Sequence, residues 1–184
     1  MVKKDLNMTI EELYHLQNCK LAMGEYYQQL AEWFPGERLF WEEAISDEVN
    51  HARLVGRLIA QISSNPLVFK PGKFRVAVLE TFLSGIYEQI DQLRMNALQP
   101  AQMLKIAYDY EISAIMSRPY EVVEPLDKES RDVRDRFAEE ADIHGGRLKQ
   151  YLAQKLGFQH KTTHIRLSDL SATSTHHAAI KHST

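Results

Sequence analysis

Apolar residues recur along the first part of this chain in alternating steps of three and four, at Leu13, Leu16, Met23, Tyr27, Leu30 and Phe34. That is the period of one face of an α-helix. Thr9 followed by Glu12 has the form of a capping box, and the pattern predicts a first helix over residues 10–34, ended by Pro35-Gly36. A second stripe starts at once through Trp41, Ala44, Val55, Leu58 and Ile62 and stops at Ser63-Ser64-Asn65-Pro66. A turn so short sets the two helices antiparallel. After Pro71-Gly72, residues 74–97 read as a third helix of roughly 24 residues and roughly 36 Å, long enough to carry the chain from one end of a bundle to the other. Pro100 marks the start of a further helix over 101–117, and Pro119 and Pro125 interrupt the chain. A last, highly charged helix over 126–155 places Val133, Phe137, His144, Leu148 and Tyr151 on one face and stops at Gly157. No segment alternates with period two, so the expected class is all-α with almost no strand. The expected architecture is a four-helix bundle with one long crossover connection carrying an extra helix. That helix lies along the bundle exterior and makes the second and fourth helices parallel.

Composition narrows the picture without changing it. The chain has 184 residues, the length of one domain, with 44% apolar and 26% charged residues. Residues 1–157 form the expected helical domain. Residues 158–184 lose the apolar period and turn to His, Ser and Thr, the composition of a flexible tail. That tail holds five of the eight histidines, His160, His164, His176, His177 and His182, scattered in a way that suits adventitious metal binding. A net charge of −3 without a basic run gives no grip on nucleic acid phosphates. No stretch is long and apolar enough to span a membrane or serve as a signal peptide, so the expected compartment is cytoplasmic. Cys19 is the only cysteine, which excludes internal disulfides, CxxC zinc ribbons and a four-cysteine iron centre. Any redox chemistry therefore needs an external electron donor.

The chemistry lies in the polar residues that interrupt the apolar stripes, because a buried charge is costly unless it is paired or holds a metal. The first stripe is broken at Lys20 and the second at Glu48 and His51. Glu111 follows Leu104, Ala107 and Tyr108, and His144 lies between Phe137 and Leu148. Each interruption falls near mid-helix, so antiparallel packing brings them to one level. Glu48 and His51 form an E-x-x-H pair, whose spacing of three points both side chains the same way, as one metal ion requires. The order of a shorter helix followed by a long helix bearing His51 or His144 occurs twice, about 92 residues apart, as a duplicated helical hairpin would give. Cys19 beside Lys20 reads as a small buried hydrophobe, and Tyr27 reads as core packing with a phenol two turns from Lys20.

Three segments carry a resemblance to a known family. Phe40-Trp41-Glu42-Glu43-Ala44-Ile45-Ser46-Asp47-Glu48-Val49-Asn50-His51-Ala52 resembles the second helix of the rubrerythrins. Met103-Leu104-Lys105-Ile106-Ala107-Tyr108-Asp109-Tyr110-Glu111 is similar to the start of their third bundle helix, and Phe137-Ala138-Glu139-Glu140-Ala141-Asp142-Ile143-His144 to their fourth. The resemblance covers about residues 8–155 and implies a ferritin-like bundle. In such bundles two helices each give a Glu and two each give an E-x-x-H, together holding two irons. Glu48, His51, Glu111 and His144 match that pattern. Lys20 stands where the first-helix Glu would fall, and Ala141 where the Glu of the second E-x-x-H would fall. An ammonium has only donors, and Ala141 offers no oxygen.

Three arrangements fit these residues. The remaining ligands form a single-metal site for iron, zinc or manganese. Alternatively, Lys20 replaces the metal by pairing with Glu48 and Glu111 in a buried ion cluster. In the third arrangement Glu140, one turn before His144, or Asp142 rebuilds a distorted two-metal site. Lys20 also has an ordinary reading in which its stem packs in the bundle and its head reaches the surface. The resemblance implies an iron-dependent oxidoreductase of peroxide or dioxygen, here with an incomplete ligand set. The alternative is a non-catalytic helical interaction protein built on the Lys20-Glu48-Glu111 cluster. The resemblance and the aromatic residues Phe82 and Tyr87 on the crossover helix suggest a homodimer.

Overall fold

The computed structural model describes residues 3–72 and 76–157. Among them are five α-helices: α1 Lys3–Trp33, α2 Arg38–Ser64, α3 Val76–Arg94, α4 Pro100–Ser117 and α5 Lys128–Lys155. The tail expected at 158–184 lies outside the described residues, as do the first two positions of the helix expected at 74–97.

Local chemistry sets most boundaries. Pro35 ends α1 through a short 3₁₀ turn, Pro35–Glu37. Pro100 occupies the first turn of α4, where Gln99 and Gln102 close a capping box and the Gln99 amide donates to Gln102 Oε1 at 2.8 Å. The Asp127 carboxylate caps α5 by accepting from the Ser130 amide at 2.9 Å. Gly157, at φ 70°, ends the described chain in the left-handed region that glycine adopts without steric cost.

The start of α1 differs from the expectation. Thr9 and Glu12 do not cap it. They lie inside a helix that already runs from Lys3, and both are buried. The cause is apolar: Leu6 and Ile10 continue the stripe of Leu13 and pack against the same cluster, so burial extends the helix past the capping signal.

The core consists of two apolar clusters. One gathers Met23, Tyr26, Tyr27 and Leu30 from the later part of α1, Trp41 and Ala44 from the start of α2, Ile86 to Leu93 from the end of α3, Met103 to Ala107 from the start of α4, and Leu148 and Leu152 from α5. The other gathers Leu13 to Cys19, the end of α2 from Leu54 to Ile62, Leu79 at the start of α3, Val122 and Val123 just after α4, and Val133 and Phe137 of α5. This distribution fixes the directions. Helices α1, α3 and α5 run one way and α2 and α4 the other, so α2 and α4 are parallel, with α3 as the return between them. Helix α3 packs on α1 and meets α4 through the edge-to-face pair Phe82 and Tyr110, whose centroids lie 5.1 Å apart. Phe82 is therefore half-buried within the chain, while Tyr87 is exposed.

Two three-residue strands also form, β1 Phe69–Pro71 and β2 Val123–Pro125, paired antiparallel with Lys70 opposite Glu124. They tie together the segments that leave α2 and α4. The Gly72 amide donates to the Val122 carbonyl at 3.0 Å. A Cβ at Gly72 would collide with the Glu121 carbonyl oxygen, so only glycine allows this close approach.

Candidate metal centre

Between the two apolar clusters lies a layer of buried polar side chains, one or two from each of four helices: Lys20 of α1, Glu48 and His51 of α2, Glu111 of α4 and His144 of α5. Each sits one helical step from apolar neighbours in its own stripe. The packing that buries Leu16 and Met23 therefore carries Lys20 inward, and the packing of Ala44 and Val55 does the same for Glu48 and His51. The sequence expectation that the interruptions share one level is met.

The geometry centres on Glu48, which has no exposed surface. Lys20 Nζ lies 3.3 Å from its Oε1 and 3.2 Å from its Oε2. His144 Nε2 stands 3.2 Å from Glu48 Oε1 and 3.7 Å from Glu111 Oε1. One ligand atom from each of Glu48, Glu111 and His144 falls within 4.8 Å of the other two. His51 Nδ1 is 3.4 Å from Glu48 Oε2, on the other side of that carboxylate from the His144 contact. Glu140 is not drawn in. Its carboxylate binds Arg136 Nε at 2.7 Å and lies 3.4 Å from the Asn50 amide.

Surrounding groups orient this set. His144 Nδ1 faces Asp47 Oδ2 at 3.0 Å, and Arg147 donates to the same carboxylate oxygen at 2.7 Å and to Glu43 at 3.1 Å. An imidazole held at one nitrogen by a carboxylate presents the other as a metal ligand or a second donor. His144 Nε2, though close to two carboxylates, makes no hydrogen bond of good geometry. The Tyr27 hydroxyl donates to Glu111 Oε1 through a short hydrogen bond, and its ring stacks on Trp41 at 5.7 Å between centroids.

Sequence reasoning named Tyr27 but gave it a packing role, and it did not find Asp47 or Arg147. Asp47 adjoins Glu48 in the chain, and Arg147 lies one turn beyond His144 on α5. Their meeting depends on the lateral contact of α2 with α5, which no single-helix period encodes.

The charges are tightly interdependent. Burial opposes the charge of Lys20, but Glu48 and Glu111 outweigh it and raise the ammonium above its usual range. Burial likewise works against the Glu48 carboxylate, yet Lys20, His144 and His51 hold it well below the ordinary value. In the absence of a metal, desolvation would lower the His144 imidazole, but Asp47, Glu111 and Glu48 push it up to about 11. Burial and then Glu111 raise the Tyr27 phenol far up, so it stays a neutral donor. Glu48 is thus held as a carboxylate between Lys20 and the two imidazoles. The surface-reaching reading of Lys20 does not hold, because its ammonium is on Glu48. Cys19 is buried, its thiol donates to the Leu79 carbonyl at 3.5 Å, and desolvation pushes it up to about 12. It behaves as a packed hydrophobe rather than a reactive thiolate.

Tyr27→Phe keeps the ring packing and removes the phenol that donates to the Glu111 carboxylate. Since a hydrogen bond to a charged group contributes about 1.5–3 kcal/mol, the variant is expected to lose that much stability in urea unfolding. A loss below about 0.5 kcal/mol would mean that Glu111 does not depend on the phenol.

Of the two distances at His144 Nε2, 3.2 Å suits neighbouring ligands on one ion, and 3.7 Å is wider, so Glu111 would move inward to join it. Donors about 2.1 Å from a metal stand roughly 3.0 Å apart at right angles and roughly 3.4 Å apart in a tetrahedron. The oxygen and nitrogen donors suit iron, zinc or manganese. Comparison of the chain with protein-family models, with curated proteins and with solved structures gave no match.

Proposed function

We propose that this chain is a ferritin-like, rubrerythrin-related metal-binding protein in which Glu48, Glu111 and His144 hold a single divalent ion and Lys20 occupies the space of a second. The observation that carries the reading is the convergence of those three buried ligand atoms within 4.8 Å. It is supported by His144 Nε2, a buried nitrogen left without a good hydrogen bond while its partner nitrogen is fixed on Asp47. The parallel run of α2 and α4, with α3 between them, matches the single crossover of ferritin-like bundles. Bound iron would supply one-electron chemistry with peroxide or dioxygen. The chain's own residues would bind the ion, exclude bulk water with the flanking apolar clusters and hold a proton at Tyr27. Electrons would come from an external donor, since Cys19 is the chain's only cysteine.

A second reading is favoured by the contact of Lys20 with both Glu48 oxygens. In it the layer is a metal-free ion cluster and the protein a non-catalytic interaction module. Elemental analysis of protein ending at residue 157, which removes the tail histidines, separates the two. The expected result is one iron, zinc or manganese per chain, lost in Glu111→Gln. Metal below a tenth of an equivalent after loading would leave the ion cluster as the function of the layer. Two irons per chain would contradict the placement of Lys20.

A further inference from the structure

A cavity of about 180 Å³ lies between α1, α3 and α4 and reaches the polar layer. Its walls are apolar: Leu16 and Met23 of α1, Leu79 and Phe82 of α3, and Ala114 of α4. Charge enters at one corner, where Lys20, Glu48 and Glu111 reach the lining, and Tyr110 and Ser113 of α4 also border it. A space this size exceeds the voids of well-packed interiors, few of which are larger than a water molecule. A dry cavity of about 150 Å³ already accepts benzene.

The corner dictates what the occupant carries. An ammonium has three N–H donors; Lys20 meets the two oxygens of Glu48 and shares the cavity lining, so a third N–H can serve an acceptor there. A carboxylate ligand would meet Glu48 and Glu111, and a cationic one would meet Lys20. An uncharged oxygen avoids both conflicts, and a hydroxyl can in addition donate to a carboxylate. The remaining wall suits a hydrocarbon body.

We infer that this cavity binds a small, uncharged, mainly apolar molecule bearing one hydroxyl group, with its oxygen on the Lys20 ammonium and its body between α1, α3 and α4. The inference rests on the cavity and on Lys20, and it does not require a metal on Glu48, Glu111 and His144.

Phenol, toluene, benzoate and benzylammonium are suitable probes for the full-length protein, with binding followed by calorimetry and by NMR. Phenol is expected to bind at millimolar concentration or tighter. Nuclear Overhauser contacts should run from its ring protons to the Met23 and Leu79 methyl groups, and benzoate and benzylammonium should bind at least tenfold more weakly. A hydroxyl buried without a partner would set phenol back roughly a hundredfold against toluene, so phenol binding within tenfold of toluene indicates that the hydroxyl is satisfied. Ala114→Leu, which fills the cavity, should weaken phenol at least tenfold. The inference is overturned if wild-type protein binds neither phenol nor toluene, if the contacts place phenol elsewhere, if a charged probe binds as well as phenol, or if phenol trails toluene a hundredfold. Undiminished binding by folded Ala114→Leu would also overturn it. The wild-type measurements decide the matter even if that variant does not fold, and metal content, measured separately, reports on the triad alone.

Discussion

Lys20→Met is expected to destabilise the metal-free protein by about 3–5 kcal/mol, the usual cost of removing one partner from a buried ion pair. Methionine matches the lysine stem in length and apolar character, so little of this loss is packing. What changes is Glu48, which has no exposed surface and whose carboxylate holds Lys20 Nζ at 3.2 and 3.3 Å. Without the ammonium, Glu48 and Glu111 are two buried carboxylates with His144 as the remaining cation near both. A domain of this size has roughly 5–15 kcal/mol in all, so the variant loses a large share of it. Urea unfolding measures the effect, as a fall in midpoint with little change in slope. A loss under about 1 kcal/mol would show that Lys20 does not hold the carboxylates in place. Divalent metal should restore part of the loss, because an ion that binds only the folded state stabilises it by mass action.

On the proposed single-ion site, Lys20→Glu combined with Ala141→Glu should raise the metal content to two ions per chain. The first change replaces the cation that lies on Glu48 with a ligand, and the second adds a carboxylate one turn before His144. Ala141 is half-buried against the cluster of Val133 and Phe137, so the new side chain enters at the edge of the layer. Without metal the double variant gathers four acidic side chains where the native chain has two beside the Lys20 ammonium, and it should be less stable than Lys20→Met. With iron the order reverses, and the melting temperature should rise by 10 °C or more, roughly the effect of a few kcal/mol in a domain of 150–250 residues. Elemental analysis and a thermal melt with and without iron test this together. A double variant that still takes up a single ion would show that Lys20 and Ala141 are not what limits the site.

Much of this arrangement is legible in the amino-acid sequence, for a definite physical reason. Lys20, Glu48, His51, Glu111 and His144 each replace an apolar residue in a helical stripe, and a stripe is a statement about burial. Depth along the helix then follows from counting residues, so the shared level was also accessible. Three things were not. The helical start at Lys3 depends on Leu6 and Ile10 finding partners in another part of the chain, and burial there overrides a local capping signal. The strands at Phe69–Pro71 and Val123–Pro125 are too short for an alternating pattern and each ends in proline, so only their pairing reveals them. The hold of Asp47 on His144 depends on how α2 is rotated against α5. The same gap explains Glu140, whose position one turn before His144 suggested a ligand, while Arg136 one turn earlier on α5 takes it instead.

The polar layer also acts as a register lock. An apolar stripe repeats every turn, so helices packed by leucines alone can slide past one another by one turn, about 5.4 Å, and find nearly equivalent contacts. Here such a slide is forbidden. Shifting α2 by a turn would carry Glu48 away from Lys20 and His144 and into the aliphatic neighbourhood of either cluster, leaving charges buried on both sides of the break. Each of α1, α2, α4 and α5 carries at least one such tooth, so a single arrangement engages all of them.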